Sequence, residues 1–167
     1  DAMERNIHHQ LARSRAAAAA RDTANSAAVA PVVQRLAQAM PILHQGSAIN
    51  CSVSIPEQAR VRIDAEDLTE ILGNLMDNAF GWAESRVEIS GRDDMDTYII
   101  IVDDDGPGLS KEQAERVVRR GERLDETRPG TGLGLSIVAE LLELFDGALE
   151  LDRSEIGGTR AIVRLPA

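Results

Sequence analysis

Glu70, Asn74 and Asn78 recur every four residues, a spacing that stacks side chains in a line along one helix face. Side-chain oxygens in such a line suit Mg²⁺, which takes few protein ligands and completes its shell with water and phosphate. Further on, Tyr98 to Val102 reads as a buried strand ending in Asp103, Asp104 and Asp105, followed by a Gly106-Pro107-Gly108 turn. A carboxylate fixed at a strand end, beside glycines that let a ligand approach the backbone, can accept a hydrogen bond from an amine. Adenine offers its N6 amine there and guanine an oxygen, a mismatch of ~1–3 kcal/mol per contact, enough to select ATP over GTP. A third group, Gly130-Thr131-Gly132-Leu133-Gly134-Leu135, runs straight into the helical stripe Ile137, Val138, Leu141 and Leu142. Backbone N–H groups at a helix start attract phosphate. The loop lacks the Gly-Lys-Ser/Thr of a P-loop, and no strand precedes it as a dinucleotide fingerprint requires. Each group alone has a plainer reading: a solvated helix face, capping aspartates, a polar loop. A carboxylate at one end and an anion cradle at the other together describe a nucleotide pocket.

These groups need elements to position them. The stripe Leu68, Ile71, Leu72, Leu75, Met76 and Ala79 predicts a helix over 66–82, with Asp64 as its N-cap. Strands are expected near 86–91 and 97–103, a helix at about 110–120, and a helix at about 133–146. Two strands near 147–152 and 159–165 follow, around Gly157-Gly158. The stretch 119–129 is polar and long enough to serve as a lid, and Arg120, Arg123 and Arg128 in it can reach phosphates. Upstream, a helix starts at Pro31 with the stripe Val32, Val33, Leu36, Met40 and Leu43. Ile49, Cys51, Val53 and Ile55 alternate as a half-buried strand, and Val61 and Ile63 suggest another. Residues 1–21 read as one helix bearing Met3, Ile7 and Leu11. The paired adjacent strands predict an α+β fold, with helices on one face of a mixed, mostly antiparallel sheet.

Composition narrows the class. The chain has 167 residues, enough for one domain plus an appendage, and its aromatic content of 2% demands an aliphatic core. A net charge of −10 disfavours nucleic acid and anionic membrane as partners. Cys51 is the single cysteine, which rules out disulfide scaffolds and Cys-based zinc sites. No apolar run approaches the ~20 residues of a membrane span. These features fit a cytoplasmic domain.

In order, Glu-x3-Asn-x3-Asn at 70–78, Asp-x-Gly-x-Gly at 104–108 and Gly-x-Gly-x-Gly at 130–134 resemble the N, G1 and G2 boxes of the GHKL (Bergerat) ATP-binding fold. That fold occurs in histidine kinases, gyrase, Hsp90 and MutL. Asn-Leu-Met-Asp-Asn-Ala at 74–79 and the run 130–138 are closest to sensor histidine kinases. The stretch 120–132 is most similar to the PhoQ type of that family. The resemblance covers about residues 31–167. It implies an α/β sandwich with ATP between helices and lid. Asn78 would ligate Mg²⁺, and Asn74 and Glu70 would support the metal, its water or the γ-phosphate, as the catalytic pair. Asp104 would bind the adenine amine, with Gly106 and Gly108 leaving room for the base. Gly130, Thr131, Gly132, Leu133, Gly134 and Leu135 would line the phosphates, and Arg123 or Arg128 would neutralise them. Two departures stand out. Many kinases carry Lys or Arg where this chain has Gly81, and the lid stretch has no aromatic.

A histidine kinase also needs a phosphoacceptor histidine. His8 and His9 lack the acidic neighbour and the proline of the family pattern, and His44 reads as a polar residue at a helix end. Residues 1–21 resemble the second helix of a dimerisation bundle, with the acceptor helix upstream. The expectation is therefore residues 1–28 as the end of that helix and its linker, and 29–167 as the catalytic domain. The implied partners are the kinase's own dimerisation domain in a homodimer and a response-regulator receiver domain. The implied parent is an inner-membrane receptor. An ATPase of the gyrase or Hsp90 kind, or a degenerate ATP-binding adaptor kept open by Gly81, are the alternatives.

Overall fold

The computed structural model describes residues 26–45, 48–114 and 134–167. The expected helix over 1–21, the lid stretch and most of the glycine loop lie outside the described residues. In chain order the elements are β1 (Ala27–Ala28), α1 (Val29–Leu43), β2 (Asn50–Ser54), β3 (Arg60–Val61) and α2 (Ala65–Trp82). These are followed by β4 (Arg86–Asp94), β5 (Thr97–Asp104), α3 (Gly134–Leu144), β6 (Ala148–Arg153) and β7 (Thr159–Pro166).

The main sheet has the order β2-β4-β5-β7-β6, with β2 and β4 parallel and every other pair antiparallel. The register gives the two faces different jobs. Val87 and Ile89 stand level with Asp104 and Val102, and Ile100, Val102 and Tyr98 stand level with Val163, Ala161 and Leu165. Side chains alternate between faces along a strand, so these residues share one face. All the apolar ones are buried in a single core with Leu68, Ile71, Leu72, Leu75 and Met76 of α2 and Leu135, Val138 and Leu142 of α3. Helices thus cover one face, with α2 in contact with both α1 and α3. Asp104 ends the core face, and Asp103 belongs to the opposite one.

α2 forms where its sequence predicts. Asp64 caps it, with Oδ1 accepting from the N–H groups of Glu66 and Asp67 at 2.9 Å each. Acidic Glu66 and Asp67 in its first turn complement the helix dipole. Its apolar stripe continues through Ala79 to Phe80, which is also buried.

Some details differ from expectation. α1 starts at Val29, two residues before Pro31, so the proline lies within its first turn, where its missing N–H costs nothing. Ala27 and Ala28, at the end of the expected 1–28 stretch, pair antiparallel with Val61 and Arg60. β2 lies at the sheet edge, so Val53 remains 37% exposed although it stands level with Ile89. His44, expected as a plain terminal residue, caps α1 and reaches α2: its Nε2 lies 2.9 Å from Asp77 Oδ1, and its ring packs on Phe80.

Candidate nucleotide site

The end of β5 sorts the three aspartates by partner. Asp105 turns toward the connection between α2 and β4. Its carboxylate accepts from the N–H groups of Glu84, Ser85 and Arg86 and from the Ser85 hydroxyl, the last at 2.6 Å. Slight burial works upward on its pKa, but the Ser85 hydroxyl and these N–H groups outweigh it and hold the carboxyl well below the usual range. Asp103, on the outer face, is level with Arg160 and pairs with it through both carboxylate oxygens, at 2.8 and 3.1 Å. Asp105 is thus a capping aspartate of the plainer reading, and Asp103 is taken up by an ion pair.

Asp104 differs. Its Oδ1 accepts from Gly106 N–H at 2.8 Å and Thr159 N–H at 3.2 Å. Among the described residues its Oδ2 has no donor. Burial pushes the carboxyl above its ordinary range. The two N–H groups pull it back, and the charges of Asp105 and Asp103 push it up again. A buried carboxylate with one oxygen pinned and the other left for a ligand is the arrangement an amine donor requires.

Glycines make this corner possible. A Cβ on Gly106 would strike the Trp82 carbonyl oxygen at the end of α2. Gly108 has φ +75° and lies against the Gly158 carbonyl. A Cβ on Gly158 would collide with Asp104 itself. The turn after β5 is therefore wedged between α2 and the β6–β7 connection. Sequence reasoning misses Gly158 and Thr159 as contributors, since the Gly157-Gly158 pair is visible in the chain only as a turn signal.

On α2, Glu70 is exposed, and Asn74 and Asn78 are half-buried. The Asn74 amide donates to the Glu70 carbonyl at 2.8 Å, which fixes the side chain against its own helix. Asn74 Oδ1 faces the first residue of α3: a Cβ on Gly134 would lie 3.1 Å from it. The fold thus brings Asn74 and the start of α3 together. Leu135 is buried, so its side chain serves the core while its amide belongs to the opening turn of α3. Arg123, Arg128, Gly130, Thr131, Gly132 and Leu133 lie outside the described residues.

Among the described residues no group of three or more His, Cys, Asp or Glu gathers as a metal site. A cation here would rest on the Asn78 oxygen, with Glu70 or Asn74 acting through water, together with a ligand's phosphates. Few neutral oxygen donors fit Mg²⁺ carried in by a nucleotide, and not a metal caged by protein alone.

Residues 63–167 match the family described as histidine kinase-, DNA gyrase B- and HSP90-like ATPases. The chain is 42% identical over 131 residues to the sensor protein kinase CarS of Pseudomonas aeruginosa, covering 78% of this chain and 29% of that protein. It is 35% identical over 132 residues to the sensor protein PhoQ of Escherichia coli K12, covering 79% of this chain and 27% of PhoQ. The chain thus spans under a third of the length of these relatives. Among solved structures, the mycobacterial sensor histidine kinase MprB superposes with a TM-score of 0.73 at 26% identity, over 85% of this chain and 96% of that one. The catalytic domain of histidine kinase ThkA shares the fold, with a TM-score of 0.76 at 21% identity, over 85% of this chain and 94% of that one. The chain belongs to the histidine kinase-, DNA gyrase B- and HSP90-like ATPase family, as an ATP-binding catalytic domain of the sensor histidine kinase kind.

Proposed function

We infer that this domain binds MgATP in the corner between α2, the β5 end and the start of α3, and presents the γ-phosphate to a histidine of the kinase's dimerisation domain. The observation that carries this reading is the half-pinned Asp104 carboxylate, held by Gly106 and Thr159 at the end of the core face. Asp104 takes the adenine amine, and Gly106 and Gly108 give the base room. Asn78 ligates Mg²⁺. Glu70 and Asn74 support the metal, its water or the γ-phosphate. Gly130 to Leu135 line the phosphates, and Arg123 or Arg128 neutralises them. When bound, Mg²⁺ supplies charge neutralisation at the β- and γ-phosphates. The protein's own contribution is positioning and electrostatics, which dominate phosphoryl transfer.

Residues 1–28 continue the reading as the end of a dimerisation helix and its linker. The pairing of Ala27 and Ala28 with β3 favours a start of the catalytic unit slightly before residue 29. A response-regulator aspartate is the onward acceptor, in a homodimeric, membrane-anchored parent whose catalytic domain faces the cytoplasm. Among the described residues no helix is long and apolar enough to cross a membrane. Similarity to the sensors CarS and PhoQ favours this reading over a gyrase-type ATPase, for which rapid ATP turnover without transfer would speak.

The test is titration with ATP and GTP, with and without Mg²⁺. Saturable ATP binding strengthened by Mg²⁺, with GTP weaker by ~10-fold or more, is expected. Asn78→Ala should remove the Mg²⁺ effect. No ATP binding under either condition, or an unchanged Mg²⁺ effect in Asn78→Ala, would sink the assignment.

A further inference from the structure

Behind Asp104 lies a second, buried network. Asp103 and Asp104 are neighbours on β5 that face opposite ways; at the start of β7, Arg160 stands level with Asp103, and Thr159 N–H reaches the Asp104 carboxylate. Arg160 grips Asp103 with Nε on Oδ1 and Nη2 on Oδ2, and the Asp103 side chain is only 7% exposed. Ser154 Oγ donates to the same Oδ1 at 2.7 Å. Ser154 begins the turn between β6 and β7. Its N–H donates to the Gly158 carbonyl at 2.9 Å, its carbonyl accepts from Gly157 N–H at 3.1 Å, and its Oγ accepts from Ile156 N–H at 3.3 Å. The other end of that turn reaches Asp104: Gly158 N–H donates to the Asp104 carbonyl at 3.1 Å, and Thr159 N–H donates to Oδ1. One turn is thus fastened on the outer face by a two-armed ion pair and delivers its N–H groups to the carboxylate on the inner face.

We propose that Asp103, Ser154 and Arg160 are positioning residues for the adenine end of the site: they lock the 154–159 turn, which orients the Asp104 carboxylate and so sets selectivity for ATP over GTP. The proposal rests on the assignment of Asp104 to the base. A bidentate arginine–carboxylate pair fixes a geometry that a single-point contact does not. Glu155 also reaches Arg160, at 3.4 Å, but it is exposed and adds little to the lock.

The experiment measures affinity for ATP, GTP and inorganic tripolyphosphate with Mg²⁺, using the full chain. It compares wild type with Arg160→Met, Arg160→Lys, Ser154→Ala and Asp104→Asn. Arg160→Met is expected to weaken ATP by ~10-fold and shrink the ATP-to-GTP ratio, while tripolyphosphate stays within ~2-fold, because only the base end is disturbed. Arg160→Lys, with one arm, should recover part of the loss. A merely structural role would lower the melting temperature without changing that ratio. Folded Arg160→Met with wild-type ATP affinity and ratio overturns the proposal if Asp104→Asn has lost ATP. If Asp104→Asn also binds ATP as wild type does, the base assignment has failed and the proposal falls with it. Should Arg160→Met not fold, Ser154→Ala decides, since it deletes one hydroxyl, and an unchanged ATP-to-GTP ratio there overturns the lock.

Discussion

Three adjacent aspartates carry one formal charge each, yet the fold gives them three different tasks. Asp105 caps a turn, Asp103 anchors an arginine, and Asp104 keeps one oxygen without a donor among the described residues. Burial and two like charges raise the pKa of Asp104 in the folded state. A raised carboxyl pKa means the folded form favours the proton. Its stability penalty is therefore absent in acid and grows as pH rises through the ordinary Asp range to the folded value, complete above that. Asp104→Asn should accordingly melt at a higher temperature than wild type at neutral pH, and lose that advantage in acid. Its ATP affinity should fall by ~10–100-fold, since the amide presents a donor to a donor. Thermal melts across pH beside an ATP titration check both. An unchanged melt at neutral pH would contradict the electrostatic account of this residue.

Elements meet at the site through side chains that tie their ends. The end of α2, the start of β4 and the end of β5 converge on Asp105, whose bonds to Glu84, Ser85 and Arg86 fix where the Gly106–Gly108 turn leaves the sheet. Removing that carboxylate should loosen the junction and not the core. Asp105→Ala is expected to cost about 1 kcal/mol at neutral pH, the usual worth of an exposed capping carboxylate. The folded pKa of Asp105 is lowered, so its contribution is complete above the ordinary Asp range and disappears as pH falls through the folded value. Urea unfolding at neutral and acid pH reads this directly: a gap between variant and wild type that widens in acid would reverse the sign argued here.

At the scale of the molecule, the described residues rest on one aliphatic core, between three helices and one face of the sheet. One large buried ring, Tyr98, sits where Gly91 leaves room, with its hydroxyl buried and without a hydrogen-bond partner among the described residues. An orphaned buried hydroxyl is a cost, so Tyr98→Phe should be neutral or stabilise by up to ~1 kcal/mol. Leu72→Ala, by contrast, opens a cavity in the helix layer behind the site and should cost ~2–5 kcal/mol. Denaturant midpoints separate the two, and a large loss in Tyr98→Phe would mean the hydroxyl has a partner in solution.

Much is legible in the chain itself. The cap and apolar stripe of α2 are local, repeating at helical spacing after Asp64, so residue spacing alone puts Glu70, Asn74 and Asn78 in line on one helix. The alternation in β5 and the order of the three boxes point to the family. The family resemblance singles out Asp104, but residue spacing alone leaves open which of the three aspartates keeps an oxygen without a donor. Alternation separates Asp103 from Asp104, but only the strand order and the helix layer decide which face is the core. The partners that then tell them apart, Thr159 for Asp104 and Arg160 for Asp103, stand 55 and 57 residues away. Likewise, nothing near Gly157-Gly158 or His44 in the chain announces that the first approaches a carboxylate and the second reaches Asp77. Local periodicity fixes elements because neighbours in sequence are neighbours on a helix or strand. A site assembled from strand ends and helix starts depends on contacts between distant segments, and those exist only once the sheet has closed against its helices.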